Sequence, residues 1–183
     1  EKGEGHGGGD RIAVDYDVSS STASLVTLKI LLNAVVSEDA NFATIDLTDF
    51  YLGSLLPSPE YIKIYVDDYP SHVLHKLGLI AFVQTDKAGK RFVYCTILKT
   101  MYGLAMSGKL CKDDLVALLK SYGFHETATP CLFRHATRKI TFCLVVDDFG
   151  IKYFTPADTA HLLASLCKHY KISVDMAGTD HCG

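Results

Sequence analysis

ITFCLVVDDFGIKYF, residues 140–154, is the stretch whose reading decides the fold. Seven residues, ITFCLVV, run into the adjacent acids Asp147 and Asp148, and GIKYF leaves them. Both arms are rich in β-branched and aromatic residues, which favour strands. The pattern predicts one strand over Ile140–Val146 and another over Gly150–Phe154, with two carboxylates at the hairpin tip. Turn chemistry alone favours Asn-Gly or Asp-Gly at such a tip. Two adjacent acids repel each other unless a cation offsets the charge.

Working downstream, Thr155 caps a helix with Pro156 at its first position, where a missing N–H costs nothing. Leu162, Leu163, Leu166 and Tyr170 form the core side of that helix, and Ile172–Met176 reads as a last strand. Upstream, ATRK joins the hairpin to a strand over Cys131–His135. Gly108–Tyr122 is helical, with Leu115, Leu118, Leu119 and Tyr122 on one side and Gly123 as its stop. Leu79–Gln84 and Phe92–Leu98 flank the turn TDKAGK and predict a hairpin. Tyr61–Val66 alternates as a strand and ends near Pro70. Phe42–Leu47 reads as a buried strand. Ser19–Thr22 can cap a helix whose apolar side is Leu25, Leu28, Leu32 and Val35. The resulting order is strand, helix, two paired strands, helix, strand, with hairpins inserted early. That is the split β-α-β-β-α-β plan of an α+β fold, with helices on one face of an antiparallel sheet.

The chain has 183 residues, 18 Lys+Arg and 21 Asp+Glu, for a formal net charge of -3. A hydrophobic share of 48% is that of an ordinary globular domain. The mild negative charge disfavours a strongly basic nucleic-acid binder. No apolar run reaches the ~18 residues of a membrane span, and EKGEGHGGGD at the start is no signal peptide. Residues 1–10 hold five glycines and read as a flexible lead-in to a domain over residues 11–183. None of the six cysteines forms a CxxC pair, and most lie among apolar neighbours. They point to a reducing, intracellular setting, cytoplasm or nucleus, rather than a disulfide framework. Cys167, His169, His181 and Cys182 lack the paired-ligand rhythm of a zinc site. His72, His75, His125 and His135 read as surface residues.

Two further Asp-Asp pairs compete with Asp147-Asp148. Asp113-Asp114 falls on the polar side of a helix. Asp67-Asp68 ends a literal YVDD, but Pro70 prevents a regular returning strand there. Asp46 closes another apolar strand, FATIDL, where an acid is unexpected in a core segment. A strand-end Asp with a hairpin-tip Asp pair supplies the hard oxygen ligands that suit Mg²⁺. Two such ions about 4 Å apart can activate an attacking hydroxyl and stabilise a leaving oxygen.

Four ordered blocks now stand out: IDLTDFYLG (45–53), KTMYGL (99–104), GFHETATPCLFRH (123–135) and LVVDDF (144–149). Together they resemble the reverse transcriptase of copia-type LTR retrotransposons, over almost the whole chain. The resemblance implies a polymerase palm with part of the fingers. It implies that Asp46, Asp147 and Asp148 are the catalytic, metal-binding acids, with two Mg²⁺ ions (Mn²⁺ as a substitute). Tyr51 matches the aromatic whose ring packs under the incoming sugar and excludes a 2′-hydroxyl. Phe50 reads as core. Met106, Gly108 and Lys109 fall in the nucleotide-binding motif after YGL. Gly108 and Lys109 fit that motif. Met106 replaces a Gln, and thioether sulfur donates no hydrogen bond. Val145 stands where the hairpin's Tyr usually is. Lys152 reads as an outward strand lysine.

The implied activity is transfer of deoxynucleotides to a primer 3′-hydroxyl on an RNA or DNA template. The implied partners are primer-template, dNTPs and neighbouring polyprotein domains such as integrase and RNase H, with no membrane. The chain reads as truncated, lacking basic fingers strands, thumb and RNase H. On that reading the negative charge marks an isolated catalytic core that binds primer-template poorly. The alternative is a catalytically inactive retroelement remnant with weak nucleic-acid or partner binding, which Met106 favours. A third reading is an unrelated acidic metal-binding or interaction module on the same plan.

Overall fold

The computed structural model describes residues 19–178. The expected lead-in over residues 1–10, with His181, Cys182 and Gly183, lies outside the described residues. Ser24, rather than Ser19–Thr22, starts the first helix, α1 (Leu25–Ser37), by accepting a bond from the Thr27 N–H. β1 (Asn41–Thr48) follows. A 3-10 turn over Phe50–Leu52 then leads into β2 (Leu55–Tyr65). Strand β2 is longer than Tyr61–Val66 because a register shift between Leu55 and Glu60 absorbs Pro57 and Pro59.

After β2 come α2 (Ser71–Lys76), β3 (Gln84–Thr85) and β4 (Arg91–Lys99). The hairpin predicted over Leu79–Gln84 shrinks to the two residues of β3, because Ile80–Phe82 forms a 3-10 turn. The chain continues through α3 (Ser107–Ser121), β5 (Phe124–Glu126), β6 (Leu132–His135) and β7 (Ile140–Val145). It ends with β8 (Asp148–Tyr153), α4 (Pro156–Leu166) and β9 (Lys171–Asp175). Gly123 stops α3 at φ +87°, a conformation open to glycine without strain.

Among the described residues the fold is α+β, with two antiparallel sheets and four helices. One sheet has six strands in the order β5-β6-β7-β8-β1-β9, and the other has three in the order β2-β4-β3. Side chains alternate between sheet faces, so β8 divides into two sets. Phe149, Ile151 and Tyr153 point one way, into the main core. That core is built on a run of rings: Phe133 stacks on Phe142 at 5.2 Å, and Phe142 meets Phe149 at 5.1 Å and Phe124 at 5.5 Å. All four are at most 1% exposed, and each ring pair adds about 0.5–1.5 kcal/mol beyond its buried area. Helix α4 covers this side, since His161 stacks on Phe124 at 5.8 Å.

Gly150 and Lys152 point the other way, where α1 lies. Two expectations are corrected here. The helices do not share one face, because α1 packs opposite α4. Nor does Lys152 point outward: it is 9% exposed, and its Nζ bonds Glu38 just past α1 at 2.7 Å. A lysine can be buried there because its charge is paired and its stem packs. The buried side of α1 is also shifted, to Thr27 and Leu31, leaving Leu25 and Leu32 exposed.

The small sheet has its own core, made by Val66, Leu74 and Val93. No helix among the described residues is long and apolar enough to cross a membrane.

Candidate active site

The site is set by strand register. β1 lies between β8 and β9, and Asp46 pairs directly with Asp148 on one side and Ser173 on the other. Directly opposed residues of an antiparallel pair project from the same face, with Cβ atoms about 4.5–5.5 Å apart. The carboxylates of Asp46 and Asp148 are therefore neighbours, although 102 positions separate them in sequence.

Asp147 sits beside them. Val145 pairs with Asp148, so Val146 and Asp147 form a two-residue turn between β7 and β8. The Asp147 carbonyl accepts a bond from the Leu47 N–H at 3.1 Å, which ties the turn to β1. Burial pushes the Asp147 carboxyl above its usual value, and the charges of Asp148 and Asp46 push it further. A bond to its own backbone works the other way. Three acids thus crowd one sheet end, and a cation would relieve the repulsion.

The turn itself is strained. Val146 has φ +59°, and Asp147 is not among the residues of positive φ. Positive φ at the first central residue alone is the sign pattern of a type II′ turn, where glycine is the ordinary choice. A β-branched side chain there costs of the order of 1–3 kcal/mol. Such strain persists only where the surroundings over-determine it. Here β1 and β7 do so, by holding both ends of the turn.

Next to the turn, Tyr51 stands on the 3-10 turn that follows β1. Phe50 anchors that turn at 2% exposure and meets the Tyr51 ring at 5.6 Å. Tyr102 packs on the other part of Tyr51 with ring centroids 4.8 Å apart. Burial raises the Tyr51 hydroxyl pKa, with the Asp147 charge next in effect, so the ring and the acid share one environment. A cavity of about 120 Å³ is lined by Ser20, Tyr51, Gly108, Lys112 and Val146, among others. A Cβ at Gly108 would lie 3.8 Å from Tyr51 and 3.5 Å from Ser20, so the glycine sits at the cavity wall.

Met106 and Lys109 are placed differently. Met106 is 8% exposed, at the N-cap of α3. Lys109 is at the surface in an i,i+4 ion pair with Asp113, 2.9 Å away. The competing acid pairs lie elsewhere. Asp113 and Asp114 are exposed on α3. Asp67 accepts bonds from Arg91 through both Nε, at 2.6 Å, and the backbone N–H, at 2.9 Å, which holds its carboxyl below the usual range. It closes the small sheet's turn.

His135 corrects another expectation. It is half-buried: the Thr137 and Arg138 N–H groups both donate to its Nδ1, at 3.1 and 3.0 Å. Its Nε2 therefore carries the proton and donates to the Tyr122 carbonyl at 3.1 Å. Sequence reasoning also passed over Tyr102. Its signal was an aromatic beside Gly103 in the loop leading to α3.

Five cysteines among the described residues are free. No group of three or more His, Cys, Asp or Glu among the described residues could hold a metal ion by itself. The three acids nevertheless fit Mg²⁺ in kind, because that ion binds through one or two carboxylates and takes its other ligands from water and phosphate. No protein-family model, curated protein or solved structure matches the chain.

Proposed function

We propose that the chain is the palm, with part of the fingers, of an RNA-directed DNA polymerase like those of copia-type retrotransposons. The observation that carries this reading is the register pairing of Asp46 with Asp148 beside the Asp147 turn. The order β1, α3, β7, β8, α4, β9, with strands in the spatial order β7-β8-β1-β9, supports it as a split β-α-β-β-α-β plan.

Asp46, Asp147 and Asp148 would hold Mg²⁺, which lowers the pKa of a primer 3′-hydroxyl and holds the triphosphate it attacks. The chain's own part is positioning. The strained turn fixes Asp147 against β1 before any substrate arrives, so no reorganisation is needed at reaction. Tyr51, wedged between Tyr102 and the Gly108 wall, would lie against the sugar and exclude a 2′-hydroxyl. The cavity is below the ~300–1,000 Å³ of a pocket that buries a whole small ligand, so it takes part of a nucleotide.

A second reading, the inactive remnant, has one observation in its favour. Met106 is buried at the helix N-cap and offers no amide to a nucleotide.

Primer extension by the intact element on an RNA template separates the two. Activity that Asp147→Asn lowers by about 1,000-fold or more supports the polymerase, since metal assistance contributes several kcal/mol. No extension by the wild type supports the remnant. A second readout needs no turnover. Asp147 has a raised folded pKa, so its contribution to stability is present below the usual 3.8 and lost as pH rises through the folded value. At neutral pH Asp147→Asn should therefore raise the Tm without metal. It should also remove the rise that Mg²⁺ gives the wild type. A wild-type Tm indifferent to Mg²⁺ and Mn²⁺ would count against the metal site itself.

A further inference from the structure

The large sheet carries a second constellation at the end away from the three acids. Strand register builds it. Arg134 of β6 pairs with Thr141 of β7, and Thr141 pairs with Lys152 of β8. Directly opposed residues project from one face, so the three stand in a row across adjacent strands. Lys152 follows Asp148 by four residues of β8, about 13 Å at the rise of a strand. Helix α1 ends at Ser37, and beyond it the sheet face opens. A cavity of about 350 Å³ lies there, lined by Glu38, Arg134, Arg138, Lys139, Lys152 and Phe154, among others. A narrower cavity of about 150 Å³ is lined by Ile30, Leu31 and Ala34 of α1 and by Leu132 of β6, among others. The two share Glu38, Arg134, Thr141 and Lys152. They form one groove, largely aliphatic at one end and cationic at the other.

The charges in the groove do not cancel. Four Lys and Arg line the wider cavity with one acid, in a chain whose net charge is -3. Two of those cations are engaged. Lys152 bonds Glu38 at 2.7 Å, and Arg138 lies 3.9 Å from Asp158. Arg134 and Lys139 are exposed and have no acid partner among the described residues. The Lys139 and Lys152 ammonium groups stand 5.8 and 5.7 Å from the Phe154 ring, so one ring gathers both at the same wall. At the other end Ile30 is 64% exposed beside the narrow cavity. A lone surface cation or a lone surface Ile is ordinary. Here two unanswered cations and an open aliphatic wall share one groove.

We propose that this groove docks an acidic peptide segment of a partner protein, with one aliphatic side chain in the narrow cavity and neighbouring carboxylates on Arg134 and Lys139. Charge complementarity selects that occupant. A guanidinium takes a carboxylate through two parallel N–H bonds. An apolar cavity of ~150 Å³ accepts a group of benzene's size, comparable to one large apolar side chain. Nucleic acid supplies the charge but no aliphatic side chain to fill the cavity, and a bare inorganic anion leaves it empty. The groove uses none of Asp46, Asp147 and Asp148, so it stands apart from the polymerase reading.

The test is fluorescence anisotropy of the 183-residue chain with three labelled peptides at low salt. One has a central Leu with three Glu on each side, the second has Gln for every Glu, and the third has Ala for Leu. The Glu and Leu peptide should bind tightest. Removing its charge or its Leu side chain should each weaken it by about tenfold, and added salt should weaken it as well. Arg134→Ala should weaken the Glu and Leu peptide by about fivefold and leave the Gln peptide unchanged. Lys139→Ala serves as the second variant if Arg134→Ala lowers the Tm. Ile30→Ser should weaken the Leu peptide and leave the Ala peptide unchanged. Asp147→Asn should bind as the wild type does, so failure of the groove and failure of the metal site are read separately. Equal affinity for the three peptides, or no response to Arg134→Ala and Lys139→Ala, would overturn the proposal. So would oligo(dT) or inorganic phosphate bound in preference to the peptide, or a wild-type dimer that Arg134→Glu dissociates, which would give the groove to a second copy of the chain.

Discussion

The two sheets obey the same alternation and end as different objects. The large one is covered on both faces, by α4 on one and α1 on the other, and its phenylalanines are sealed. Among the described residues the small one is covered on one face only, over a core of Val66, Leu74 and Val93. Both carry a pair of adjacent acids near a strand end. In the large sheet the pair meets a third acid from the neighbouring strand, and the charges of Asp148 and Asp46 add to the upward shift of the Asp147 carboxyl. In the small sheet Asp67 meets Arg91 and becomes a structural tie. The difference is the partner strand, and identical dipeptides therefore do opposite things.

Truncation in the two cores should break the comparison most sharply. Phe142→Ala removes a ring shared by three others and should cost about 3–5 kcal/mol, a large part of a domain's ~5–15 kcal/mol. Leu74→Ala should fall toward the lower part of the 2–5 kcal/mol range for such changes, because the small core has few members to lose contact with. Denaturant melts check both, and hydrogen exchange should show the Leu74 change opening residues 55–100 ahead of the large sheet. Equal, global loss from both would mean that the sheets unfold as one unit.

The hairpin tip gives a smaller effect of the opposite sign. Val146→Gly should raise stability by about 1–2 kcal/mol, because glycine takes φ +59° without the steric cost, less its own chain entropy. A gain in Tm together with a loss of extension activity would show that the strain serves to fix Asp147. A loss of Tm would remove the argument from strain.

The smallest effect is at the join between α3 and α4. Burial lowers the His135 pKa from the usual 6.5, with His161 and Arg138 adding to it and the Tyr122 carbonyl and Asp158 opposing. A depressed histidine contributes stability that is complete above 6.5 and is lost as pH falls from there through the folded value. The Tm should therefore decline between pH 7 and pH 5, and His135→Gln should flatten the slope. An unchanged slope would show that protonation of His135 is not coupled to folding.

Much of this was legible in the chain. The strand arms around Asp147-Asp148, the Thr155–Pro156 helix start and the Gly123 stop follow from local rules that need no partner. The 3-10 turn at Ile80–Phe82 was not legible, because an apolar run of that length suits either state. Nor was the strand through Pro57 and Pro59, since a register shift that tolerates proline depends on the facing strand. For the site, Asp46 and the acid pair stood out as acids at the ends of apolar strands. That they should face each other rested on the family resemblance.

By itself the sequence determined most of the strands and helices of the large sheet and which acids are out of place among them. Those are properties of neighbours along the chain. Only the tertiary structure decided that Asp46 stands opposite Asp148, that Val146 takes a left-handed turn, and that Lys152 is buried against Glu38. Tertiary structure likewise left the tyrosines of β2 and β4 on an open face. Register, handedness and burial each need a second strand or helix to be defined, and the period of a single segment is silent on which one arrives.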